Sequence, residues 1–297
     1  MPTLAYMFRK LTLAVALLAG AVPAWGQSEN PTVVAAPDWA VAETLMALGL
    51  DTVAMGNVKA YRAWMGGGPL PAQAISFGVN PMPNLELLAE LDPALILIPP
   101  YRTRGASRLS KIAPVQTLTP FPYSDSPDFW EKLRRFTREV GRLTDRQRAA
   151  TQLIADIERH LARERRALDG DHDPLVIVQL LDQRHIRVFG DNSLLQAVLN
   201  RLGLTNAWNG QTNRWGFSIV GLDALADVDA RLVVLETAFP VGIEHELATS
   251  GLWQHLPSVQ RGDLITLPPT FWIFGGMPSA KHFADALVDA LEKPDAG

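Results

Sequence analysis

Apolar positions recur along this chain in two arrangements, one helical and one continuous. The most regular helical stretch begins at Thr144. Ala150, Leu153, Ile154, Ile157, Leu161 and Leu168 follow at helical spacing, no Gly or Pro interrupts residues 145–169, and Gly170 is placed to stop the helix. Thr144-Asp145-Arg146-Gln147 has the form of a capping box at its start. At 1.5 Å per residue the stretch makes a rod of about 37 Å, as long as a small domain is wide. Such a rod suits a strut between two lobes, and equally an amphipathic helix packed inside a single domain.

The continuous arrangement appears twice, once on each side of that rod. Leu85-Glu86-Leu87-Leu88-Ala89-Glu90-Leu91-Asp92-Pro93-Ala94-Leu95-Ile96-Leu97-Ile98 aligns without a gap on Leu222-Asp223-Ala224-Leu225-Ala226-Asp227-Val228-Asp229-Ala230-Arg231-Leu232-Val233-Val234-Leu235. Each copy reads as a short acidic helix, a turn at an Asp, and an apolar run suited to a strand buried on both faces of a parallel sheet. Upstream, Leu48-Gly49-Leu50 and Leu202-Gly203-Leu204 each close a helical pattern on a glycine. Matching elements on both sides favour the strut. The pattern thus predicts an α/β chain: two small α/β lobes, residues 27–141 and 171–297, joined by one long backbone helix within 142–170, with a ligand cleft between the lobes.

The first residues read differently. Arg9 and Lys10 precede an apolar run from Leu11 to Val22, then Pro23-Ala24-Trp25-Gly26, the pattern of a secretory signal peptide over residues 1–26. The run is shorter than the roughly 20 residues a membrane-spanning helix needs. Its removal leaves 25 cations against 31 acids, a balance that argues against a nucleic-acid partner. There is no cysteine, hence no disulfide, no thiolate metal site and no lipid-bearing cysteine. The expectation is a free protein of the periplasm.

Ligands of open α/β sheets bind at the carboxyl ends of the strands. The predicted strand Leu95 to Ile98 runs into a loop carrying Tyr101, Arg102 and Arg104. Large aromatics mark other turns: Trp39, Tyr61 with Trp64 before Gly66-Gly67-Gly68, Trp208, Trp215, and Trp272 with Phe274. Each one alone fits core packing, since tryptophan is highly buried on average, but their shared place after strands points to a binding surface. No nucleophile elbow, phosphate loop, dinucleotide fingerprint or His-Glu-x-x-His motif occurs, and the six histidines show no paired ligand spacing. The chain reads as a binding protein, not an enzyme.

Pro83-Asn84-Leu85-Glu86-Leu87-Leu88, Arg184-His185, Val188-Phe189-Gly190-Asp191-Asn192-Ser193-Leu194, Asn206-Ala207-Trp208, Thr212-Asn213-Arg214-Trp215-Gly216 and Trp272-Ile273-Phe274-Gly275 resemble the ferric-hydroxamate receptors of the helical-backbone class of importer binding proteins. The likeness covers nearly the whole chain after residue 26. It implies an aromatic cleft in which Tyr101 donates to a hydroxamate oxygen, Trp215 and Trp272 cover the organic arms, and Trp39, Trp64, Trp208 and Phe274 form walls. It implies no cofactor, because iron held by three bidentate hydroxamates is already saturated, and it implies a monomer that delivers its ferric siderophore to an inner-membrane ABC permease. Glu86 and Asp223, at matching places in the repeat, would dock on that permease. One departure stands out: the family's cleft arginine is replaced by Asn80, leaving Arg102 or Arg104 to substitute, or a different siderophore as cargo. Cobalamin or haem, carried by receptors of the same class, is the alternative ligand.

Overall fold

The computed structural model describes residues 32–50, 52–65, 70, 74–79, 82–119, 128–168, 170, 172–236 and 242–292. The expected signal peptide, the Gly66-Gly67-Gly68 run and Asn80 lie outside them.

Short, wholly apolar segments make the first sheet. The strand β1 (Val34–Ala36) leads through α1 (Trp39–Ala47) to β2 (Val53–Met55), and α2 (Val58–Trp64) leads on towards β3 (Ile75–Ser76). A two-stranded ribbon, β4 (Gly78–Val79) and β5 (Met82–Pro83), precedes α3 (Leu85–Glu90), β6 (Leu95–Ile98), a 3-10 turn over Pro100–Gly105, α4 (Ala106–Leu109) and β7 (Val115–Thr117). The sheet order is β3-β2-β1-β6-β7, and every neighbouring pair is parallel. All of β1 and β2 and most of β6 are buried, as helices on both faces of a parallel sheet require.

The second sheet comprises β8 (Leu175–Leu180), β9 (His185–Phe189), β10 (Phe217–Gly221), β11 (Arg231–Leu235) and β12 (Leu264–Leu267), in the order β10-β9-β8-β11-β12. The internal repeat is visible here: β8, β11 and β12 run parallel, as β1, β6 and β7 do. The lobes diverge at the next position. A hairpin turns the chain back, so β9 is antiparallel to β8 and β10 to β9. The two predicted acidic helices also differ, since Leu85–Glu90 is α-helical while Leu222–Leu225 is a single 3-10 turn. Both predicted glycine stops hold, with Gly49 at φ 80° and Gly203 at φ 79°.

Two helices tie the lobes together. The backbone helix read from the periodicity is α6 (Gln147–Ala167), two residues shorter at each end than expected. It lies against α5 (Phe129–Leu143), which the sequence pattern did not assign to the junction. The capping box is not formed: Thr144 closes α5, its hydroxyl donating to the Val140 carbonyl at 2.8 Å, and Asp145 turns the chain at φ 58°. Both helices straddle the lobes. Helix α5 gives Phe129, Trp130 and Leu133 to the core of the second lobe and Phe136 and Val140 to that of the first. Helix α6 does the reverse, with Ala150 in the first core and Ile154, Ile157 and Leu161 in the second. The second lobe is completed by α7 (Leu194–Leu202), the short helices α8 (Ile243–Ala248), α9 (Gly251–Gln254) and α10 (Pro257–Gln260), and the long α11 (Met277–Glu292).

Candidate functional site

The segments that leave β1, β6 and β12 at their carboxyl ends meet around a cavity of about 320 Å³. The first lobe supplies Asp38, Trp39, Tyr101 and Arg102 to its wall. The second lobe supplies Arg187, Trp215, Phe217, Trp272 and Phe274.

Local chemistry fixes each wall residue. Asp38 caps α1 by accepting from the backbone amides of Ala40 at 3.0 Å and Val41 at 3.3 Å, which sets Trp39 at the first helical position. The Trp39 indole N–H donates to the Gly56 carbonyl at 2.7 Å. Tyr101 and Arg102 ride on the 3-10 turn that follows β6. Trp215 is held by Asn213, whose side-chain oxygen accepts the Trp215 backbone N–H at 2.8 Å. Gly216, at φ 80°, lies so close to Asn192 and Ser193 that a Cβ there would fall 2.6 Å from the Ser193 Cα. Trp272 donates its backbone N–H to the Ser279 hydroxyl oxygen at 3.0 Å.

The rings form a connected wall across both lobes. Trp39 meets Trp272 edge to face at 4.8 Å, Trp272 meets Phe274 at 5.3 Å, Phe274 meets Trp215 at 5.7 Å, and Trp215 meets Tyr101 at 5.6 Å. Edge-to-face pairs add roughly 0.5–1.5 kcal/mol beyond their buried area, so the wall is organised before any cargo arrives. Trp64 stands behind it, perpendicular to Trp272 at 4.8 Å.

Polar groups interrupt this wall at few points. The Tyr101 hydroxyl donates to the Asp38 carboxyl. Burial pushes the Asp38 carboxyl above its ordinary range, while the Tyr101 hydroxyl, the Val41 and Ala40 amides and the nearby Arg102 charge pull it back. Arg187 donates from Nη1 to the Gln179 side-chain oxygen at 2.6 Å and lies over the Phe217 ring at 4.4 Å. Among the described residues no group of three or more His, Cys, Asp or Glu could hold a metal ion.

Of the residues picked from the sequence, Trp39, Tyr101, Arg102, Trp215, Trp272 and Phe274 share this one cavity. Trp64 supports it from behind, and Trp208 is elsewhere, packed against the core of the second lobe beneath Gly190 and Gly210. Arg104 lines a neighbouring groove with Pro83 and Arg108. Asn80 lies outside the described residues. Glu86 and Asp223 are exposed at corresponding points of the two lobes, just ahead of β6 and β11. Asp38, Arg187 and Phe217 were missed. Asp38 precedes a predicted helix and signals only a cap, while Arg187 and Phe217 reach the cavity from the antiparallel β9-β10 pair, which the repeat did not foretell.

Comparison with known proteins agrees with this architecture. The chain is 32% identical over 266 residues to the iron(3+)-hydroxamate-binding protein FhuD of Escherichia coli strain K12, a match covering 88% of each chain. It is 23% identical over 283 residues to the petrobactin-binding protein YclQ of Bacillus subtilis, covering 89% of this chain and 84% of that one. The fold superposes on the Fe3+-Desferal-bound siderophore-binding protein FhuD from Vibrio cholerae with a TM-score of 0.80, at 24% identity, covering 88% of this chain and 98% of that one. Residues 34–270 match the periplasmic binding protein family, and the chain belongs to that family.

Proposed function

We propose that this chain captures a ferric hydroxamate-type siderophore in the periplasm and delivers it to an inner-membrane ABC permease, acting as a receptor and not as an enzyme. The observation that carries this reading is the cavity between the lobes, whose wall is five aromatic side chains, a phenol, two guanidinium groups and one carboxyl. A ferric ion held by three hydroxamates has no open position, so its receptor reads the organic exterior and the oxygen atoms that face outward. Indole and phenyl rings suit the first task and phenol and guanidinium donors the second. Arg102 lines the cavity and Arg104 does not, which favours Arg102 over Arg104 as the first lobe's charged donor in place of Asn80. The relative of known cargo with 32% identity is named for iron(3+)-hydroxamate binding.

Delivery requires contact outside the cleft. Glu86 and Asp223 give one exposed acid per lobe at equivalent places, suited to two like basic sites on a permease. No described helix is long and apolar enough to cross a membrane.

The test is a tryptophan-fluorescence titration with ferric hydroxamates, ferric catecholates, haem, cobalamin and the iron-free siderophores. Saturable quenching by ferric hydroxamates, weak or absent with the iron-free forms, is the expected result. Tighter binding of cobalamin or haem, or iron bonded directly to a protein side chain in a loaded structure, would overturn the reading.

A further inference from the structure

The second lobe places a cation, Arg187, in the cleft with no counter-ion among the described residues. We infer that Arg187 grips an outward-facing oxygen of the cargo and makes the cleft prefer ferric complexes with an anionic periphery over those with a cationic one. This rests on the proposed function and narrows the cargo class.

The sheet register puts Arg187 there. It lies opposite Gln179 of β8 and Ile219 of β10, on the β9 strand whose next same-face residue, Phe189, pairs with Phe217. Buried Gln179 takes one guanidinium hydrogen bond at 2.6 Å, and the Phe217 and Phe274 rings lie 4.4 and 5.8 Å from the guanidinium carbon. These contacts fix the orientation of the fork without neutralising it. Among the described residues no carboxylate lies within ion-pair reach of Arg187, and its Nε, shielded from solvent, has no hydrogen-bond partner. Such a donor is expensive to hold in place: Arg187 is half-buried, and its shielded Nε loses hydration without a hydrogen bond in return. Burial also draws its pKa down, the mark of a cation short of compensating charge.

The remaining charges of the cavity point the same way. Arg102 is a second cation on the wall, and its Nε is likewise buried without a partner. The one acid among the described lining residues, Asp38, is committed to the Tyr101 hydroxyl and two backbone amides, and burial raises its pKa against their pull. Two guanidinium groups thus face one carboxyl among the described lining residues. An apolar side chain would fill the space on Phe217 as well as Arg187 does, so the guanidinium is explained by a ligand that supplies negative charge or strongly polar oxygen atoms.

A series with one iron centre and three peripheral charges isolates this effect. The probes are a linear ferric trihydroxamate carrying a free terminal amine, its N-acetyl derivative and its N-succinyl derivative, which are cationic, neutral and anionic. Wild-type affinity, read by tryptophan quenching, rises in that order. Arg187→Met narrows the ratio between the succinyl and amine forms by about tenfold or more, the factor that corresponds to 1.4 kcal/mol, chiefly by weakening the succinyl form. Arg187→Lys keeps the order. Equal wild-type affinities for the three probes, or an unchanged ratio in folded Arg187→Met, would overturn the inference while leaving the proposed function standing. A wild-type protein that binds none of the three overturns both. If Arg187→Met does not fold, Arg187→Gln carries the same comparison.

Discussion

Glu43 and Ser279 join the two lobes behind the cleft: the Ser279 hydroxyl donates to the Glu43 carboxylate at 2.6 Å while its oxygen accepts the Trp272 backbone N–H at 3.0 Å. The backbone N–H of Gly276, just ahead of α11, also donates to Glu43, and the Tyr61 hydroxyl does so at 3.4 Å. A carboxylate of the first lobe thus occupies the start of a helix of the second, where unpaired N–H groups favour negative charge. Through Ser279 the same contact fixes the backbone of a cleft tryptophan.

Burial pushes the Glu43 carboxyl up to about 7, against the pull of Ser279 and the Gly276 amide. The unfolded chain releases this proton near the ordinary glutamate value of 4.5, so between there and about 7 stability falls as pH rises. Below that window the contribution is fully present, and above it is lost. The size, from the span between the two values, is about 3 kcal/mol. Glu43→Gln keeps an acceptor for Ser279 and removes the charge, so it is expected to be more stable than wild type at pH 8 and about equal at pH 4.5. Urea unfolding of both proteins at steps from pH 4.5 to 8 checks this; parallel curves would contradict it.

Three connections across the junction, α5, α6 and the Glu43–Ser279 contact, resist a wide hinge motion. No Pro or Gly interrupts α6, and a helix without a kink residue bends little. Scattering profiles of the free and cargo-loaded protein are therefore expected to overlay closely, with the radius of gyration unchanged within error. A clear compaction on loading would mean that this junction opens.

The sheets and their repeat were legible because burial on both faces leaves a simple trace: Leu95 to Ile98 and Leu232 to Leu235 are apolar without interruption. The aromatic wall was legible in part because Trp39 and Trp272 follow strands in places where small polar side chains are usual, whereas Trp215 leads into β10 instead of following a strand. Arg187 was not, since one arginine within His185-Ile186-Arg187-Val188-Phe189 looks like the solvent side of an alternating strand. Only the antiparallel pairing with β10 turns that face to the cavity. The Thr144 capping box misled for a related reason: its hydroxyl finds the Val140 carbonyl of the preceding helix, and nothing local reveals that α5 ends there.

Gly141 sets the distance between the two connecting helices. A Cβ at this position would fall 2.6 Å from the Ala150 Cβ and 3.0 Å from the Arg146 carbonyl oxygen, both held by α6 and the turn before it. Overpacking of this kind costs about 1–3 kcal/mol, and here backbone is among the atoms that would have to move. Gly141→Ala is expected to lower the denaturation midpoint accordingly with little change in cargo affinity. Unaltered stability would show that α5 and α6 can separate freely.

Tyr101 is the most exposed of the cavity's aromatic side chains, at 41%, and its hydroxyl donates to Asp38. Cargo that accepts this proton must compete with Asp38, which limits the net gain to an ordinary hydrogen bond of about 0.5–1.5 kcal/mol. Tyr101→Phe is therefore expected to weaken ferric hydroxamate binding by about two- to tenfold, leaving the ring contact with Trp215 in place. Asp38→Asn replaces the competing carboxyl with a weaker amide acceptor and should weaken binding less than Tyr101→Phe does. Titration of both variants checks the ranking, and the reverse order would make Asp38 the direct contact.

Glu86 and Asp223 separate delivery from capture. Both are exposed, both sit at the start of a short helical turn that feeds the β6 or β11 strand, and neither lines the cavity. An acid in a first helical turn also stabilises the turn itself, by about 0.3–1 kcal/mol, so loss of the acid alone would leave two explanations. Charge reversal divides them. If these acids dock onto basic sites of a permease, Glu86→Arg with Asp223→Arg abolishes siderophore-dependent iron uptake in cells while cargo affinity of the purified protein stays at the wild-type value. If they serve only their turns, the double variant melts slightly earlier, binds normally and still supports uptake. Measuring uptake, affinity and melting on the same variant decides between the two.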